Sequence, residues 1–109
     1  MDAFEGLTSR FARANDILFN KVYRSIVYIE NGENLPWIDV IFYFEKKQVI
    51  DKAEDARLLK ELRNDIVHEY AITDLTELFE EVLRYTPVLL QYAEKARKEA
   101  EKVNEKLER

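Results

Sequence analysis

Cysteine is absent from this 109-residue chain, histidine occurs once, and glycine and proline occur twice each. Without cysteine there is no disulfide framework, no thiolate nucleophile and no thiolate metal site; a metal site built from histidines would need subunits to share it. Two glycines are too few for a glycine-rich phosphate loop, and Ser/His/Asp catalysis has no support. No run approaches the roughly 18 apolar residues of a membrane helix. The opening MDAFEGLTSRF has neither a basic start nor an apolar signal core, so a cytoplasmic location with no membrane partner is expected. An excess of basic residues is also missing. The net charge is −5, so the molecule as a whole is not drawn to polyanions, and any RNA binding must be local.

What is present is helical periodicity. With 47% hydrophobic residues the chain suffices for one compact core, read as a single domain over 1–109. From Phe4, the residues Leu7, Phe11, Leu18, Val22 and Ile29 keep helical spacing, and Asn31-Gly32 is a stop. A second helix is predicted from Leu35-Pro36-Trp37 through Ile38, Ile41, Phe42 and Val49; "VIFYF" alone would suit a strand, but it has no strand to pair with. The third helix spans about Lys52 to His68, with Leu58, Leu59, Leu62 and Ile66 on one stripe. Asp74 and Glu77 fit an N-terminal capping arrangement for the last helix. There Leu75, Phe79, Val82, Thr86, Leu89, Ala93, Ala96, Ala100, Val103 and Leu107 alternate four and three residues apart, the spacing of a coiled-coil seam. Pro87 is a candidate kink, and 93–109 reads as a charged extension. The predicted fold is all-α, an up-and-down bundle of four or five helices with a long C-terminal helix.

The lone histidine lies in "LRNDIVHEY", Leu62 to Tyr70. At about 100° per residue, Leu58, Leu59 and Ile66 fall within roughly 60° of Leu62, whereas His68 lies about 120° to one side and Arg63 about 100° to the other. The histidine thus points away from its own core. Val67 shares the outer surface with Asn64, His68 and Arg63, as expected of a covered or concave surface. Histidine exchanges protons near neutral pH and arginine binds phosphate oxygens, so the group suits metal-free RNA cleavage: a base takes the 2′-hydroxyl proton, that oxygen attacks phosphorus, and arginine stabilises the developing charge. The leaving oxygen needs an acid as well, which a two-fold dimer would supply from a second copy.

"RNDIVHEY", Arg63 to Tyr70, resembles the R-x4-H-x-Y signature of HEPN-domain proteins (higher eukaryotes and prokaryotes nucleotide-binding), in particular the HepT-like toxins encoded beside minimal nucleotidyltransferases. Asn64 directly after the arginine is also typical of that family. The resemblance implies a HEPN-like bundle, a homodimer and a metal-independent endoribonuclease with Arg63 and His68 catalytic and Asn64 supporting them. It implies that the partner nucleotidyltransferase antitoxin silences the nuclease by AMPylation of Tyr70, with ATP and magnesium used only by that partner; the protein itself takes no metal and no cofactor. On a continuing helix Tyr70 would lie about 20° from Arg63, so an added AMP would fill the cleft.

Two other readings use the same residues. In one, the chain is a non-catalytic HEPN subunit that presents nucleotide or substrate to a nucleotidyltransferase; in the other, the heptad-spaced last helix is its working part. The aromatic residues fit core packing better than base-stacking platforms, since most fall at helical core spacing.

Overall fold

The computed structural model describes residues 3–68 and 75–108, all of the regular structure among them helical. Helix α1 (Ala3–Asp16) passes into a π-helical segment (Ile17–Val22) and then α2 (Tyr23–Asn31), so the expected long first helix is one continuous run with a wide turn inside it. It stops where predicted. Gly32 takes the left-handed conformation (φ 74°), and its N–H donates to the Tyr28 carbonyl at 2.7 Å, a conformation glycine adopts without steric cost.

The wide turn changes which residues face inward. A π turn adds a residue to the helical repeat, so beyond it the buried side chains are Tyr23, Ile26 and Val27, while Val22 is only partly buried and Ile29 is 49% exposed. The expectation that Val22 and Ile29 continue the apolar stripe is thereby corrected: Tyr23, Ile26 and Val27 take their place.

Helix α3 (Trp37–Lys46) is preceded by Pro36 and buries Val40, Ile41 and Phe44, confirming helix over strand for "VIFYF". It does not reach Val49. Gln48 adopts φ 65°, and the N–H groups of Val49 and Ile50 both turn back to the Phe44 carbonyl at 2.9 and 3.2 Å. This left-handed stop satisfies the helix end without a glycine, and it folds Val49 and Ile50 into the core from the connecting segment.

Helix α4 (Ala53–Val67) follows, with Lys52 and His68 as its flanking caps. The Glu45 carboxylate, at the end of α3, accepts the Ala53 N–H at 2.6 Å; it supplies an anionic cap that Lys52 cannot. Leu59 and Leu62 are buried and Leu58 and Ile66 partly so, as the stripe required, with Ala56 joining them.

Helix α5 (Leu75–Glu108) is 34 residues long and carries Pro87 inside it. At about 1.5 Å per residue it is about 51 Å long, matching the 51 Å long dimension of a molecule only 23 by 20 Å across. Its buried positions are Leu78, Val82, Leu89, Tyr92, Ala96, Glu99 and Val103, with Tyr85 partly buried. The alternation of four and three holds, but half of the seam lies one residue before the expected Phe79, Thr86, Ala93 and Ala100. Rings at Tyr85 and Tyr92 remove more apolar area from water than Thr86 and Ala93 can. Ala93 is exposed, and so is Leu107 at 65%.

One core joins all the helices. Tyr23 stacks on Phe44 at 4.5 Å between ring centres, and the Tyr92 hydroxyl donates to Asp55 at 2.8 Å, tying α5 to α4. Lys47 sits between Glu30 and Glu99, 2.8 Å from each, and so links α2, the α3 stop and α5. Beyond Ala93, the surface of α5 carries helix-spaced pairs such as Arg97 with Glu94 and Glu101, while Ala96, Glu99 and Val103 turn inward.

Candidate functional site

The site is built where α1 crosses α4. Asn15 stands at a core-facing position, four residues after Phe11 and three before Leu18, and is buried. Its side-chain amide donates to the Leu59 carbonyl at 3.0 Å. A buried polar group of this kind is stable only because it is paired. Asp16, the last residue of α1, then faces Arg63, one helical turn beyond Leu59.

Arg63 donates from Nε to Asp16 Oδ1 at 2.7 Å and from Nη2 to Oδ2 at 3.0 Å. This bidentate pair takes one edge of the guanidinium and fixes its plane. Donating to the Asp16 carboxylate holds Arg63 above its ordinary pKa, so it carries full charge at any working pH. Nη1 points along the chain toward Asn64 Oδ1, 3.4 Å away, which leaves the outer edge of the fork for an incoming acceptor. Both members of the pair are partly exposed, 31% for Arg63 and 39% for Asp16.

Beside the pair lies a small concavity of about 150 Å³, lined by Asp16, Arg63 and Asn64 together with Asn20, Trp37 and Lys60. Phe19 packs behind Trp37 with ring centres 6.2 Å apart, and Lys60 Nζ stands 4.4 Å from the centre of the Trp37 ring. With Asn15 at its back, an indole, three amides, a carboxylate and two cations thus share one small wall, a mixture suited to a planar polar ligand bearing negative charge.

Of the residues singled out in the sequence, Arg63 and Asn64 are brought together here. His68 is not among those lining the concavity. It caps α4, its N–H donating to the Asn64 carbonyl at 2.9 Å, and it is exposed, as is Val67 at 49%. The helix ends at Val67, and Glu69, Tyr70 and Asp74 lie outside the described residues. Sequence reasoning did not find Asp16, Asn20, Trp37 or Lys60. Asn15 did leave a signal: an amide at a core-spaced position of an otherwise apolar stripe. Asp16 is 47 residues from Arg63, and nothing local marks the pairing.

Among the described residues, no group of three or more His, Asp or Glu could hold a metal ion, and no helix is long and apolar enough to cross a membrane. Compared with family models, with curated proteins and with solved structures, the chain finds no match.

Proposed function

We propose that the chain is a HepT-like toxin: a metal-independent endoribonuclease whose active site is completed at a homodimer cleft. The observation that carries this reading is the bidentate hold of Asp16 on Arg63, which presents the outer edge of a fixed, permanently charged fork beside Asn64. A surface arginine with only a stabilising role has no need of an oriented free edge. A phosphate-binding arginine does, because positioning before the reaction is what lowers its barrier.

In the proposed reaction, His68 takes the 2′-hydroxyl proton, the resulting oxygen attacks the adjacent phosphorus, and Arg63 stabilises the charge that builds on the phosphoryl oxygens. The proton for the departing 5′-oxygen comes from the His68 of a second copy. Exposed apolar residues on the elements that build the site, Ile17, Ile38 and Val67, are in keeping with a covering partner. A nucleotidyltransferase antitoxin would then silence the enzyme by transferring AMP to Tyr70, with ATP and magnesium on the antitoxin's side.

The test is cleavage of a mixed RNA in EDTA by wild type and His68→Ala, with circular dichroism to show that both are folded and intact mass to exclude prior AMP. Wild type is expected to cut and the variant to lose about a hundredfold or more. Absence of cutting by both overturns the nuclease reading in favour of a nucleotide-binding subunit.

A further inference from the structure

The concavity beside Arg63 contains more than catalysis of strand cleavage requires. A phosphate needs the arginine and its orienting carboxylate; it does not need an indole backed by a phenyl ring, or the amides of Asn20 and Asn64. We infer that Trp37, Asn20 and Lys60 form a subsite for a single nucleobase adjoining the phosphate held by Arg63, and that it selects pyrimidines. The inference rests on the ribonuclease reading for the phosphate at Arg63, but not for base binding itself.

Three observations set the ligand class. The indole face offers stacking, which every base accepts. The hollow, about 150 Å³ and open to solvent on one side, has room to seat one benzene-sized ring; a pyrimidine seats whole against the indole, whereas a purine projects beyond the rim. The amides, each with a donor and an acceptor, match the alternating edge of uracil or cytosine. Lys60 is the placeholder. Its ammonium covers the Trp37 ring at 4.4 Å from an exposed side chain, and such a contact is weaker than base stacking. An incoming base displaces Lys60, which lies one turn from Arg63 and then meets the nucleotide's phosphate.

Trp37 is the chain's one tryptophan, so its indole N–H gives a single resonance that reports directly on this wall. Uridine 5′-monophosphate is expected to shift that resonance saturably, with binding roughly tenfold tighter than adenosine 5′-monophosphate. Asn20→Ala, at an exposed position outside the core, should weaken the effect about fivefold. Lys60→Ala should tighten uridine, which has no phosphate, and weaken the monophosphate. No shift of the Trp37 resonance in folded protein overturns the subsite. So does an equal shift with inorganic phosphate alone, and equal affinity for the two monophosphates overturns pyrimidine selection. RNA cleavage lost in His68→Ala but accompanied by a silent Trp37 would keep the nuclease and remove the subsite; a Trp37 response without cleavage would do the reverse.

Discussion

Asp16 decides what Arg63 can do. A partly exposed ion pair contributes on the order of 1 kcal/mol or less to stability, so Asp16→Ala should lower the urea midpoint only slightly. Its effect on RNA cleavage should be larger, a fall in kcat of about tenfold to a hundredfold, because the guanidinium loses its fixed plane. KM should stay level or drop, since removing a carboxylate cannot weaken attraction for phosphate. A variant that loses stability and activity in parallel would show Asp16 to be a strut between α1 and α4 and nothing more. The same residue marks the limit of what the sequence discloses. Arg63, Asn64 and His68 were legible because they crowd into six positions of one helix. Asp16, Asn20 and Trp37 reach the site from α1, the π-helical segment and α3, and only packing brings them there.

Among the elements, α5 gives the sharpest contrast between pattern and packing. Two heptad registers coexist in its sequence, sharing Val82, Leu89, Ala96 and Val103 and differing by one residue between them. Spacing cannot choose; ring size does. Tyr92→Ala should therefore cost about 3–5 kcal/mol by emptying a packed site, whereas Ala93→Lys should stay within about 0.5 kcal/mol. Chemical denaturation of both variants checks this, and equal losses would restore the other register. The first helix escaped the pattern for a different reason. A period of 3.6 residues assumes an unbroken ladder, and the π-helical turn at Ile17–Val22 violates that assumption without any glycine or proline to announce it. Gln48 is a similar case, a left-handed stop on a residue that sequence rules do not associate with one. By contrast Gly32 and the α4 stripe followed from local chemistry alone, and the choice of helix for "VIFYF" from the lack of any second strand to pair with it.

At the scale of the whole molecule, the core contains a group that answers to alkali. Burial pushes the Tyr23 hydroxyl well above the ordinary tyrosine pKa, with Tyr92 adding to the shift, and the Tyr23 hydroxyl has no hydrogen-bond partner among the described residues. The folded state therefore favours the neutral phenol. Its contribution to stability is complete below about pH 10, the unfolded value, and is lost as pH rises beyond it. Tyr23→Phe should flatten that alkaline loss in urea titrations between about pH 9 and 11 and leave neutral stability equal or improved, because the hydroxyl it removes is unpaired. A steeper loss would contradict this. The length of α5 has a separate consequence, for motion in solution. Helical N–H bonds run along the helix axis, so those of α5 point along the long dimension of the molecule and reorient only when it turns end over end. In a monomer their transverse relaxation should outpace that of amides lying across the axis. Two copies docked side by side would make a rounder particle, and that directional contrast would shrink as the concentration is raised.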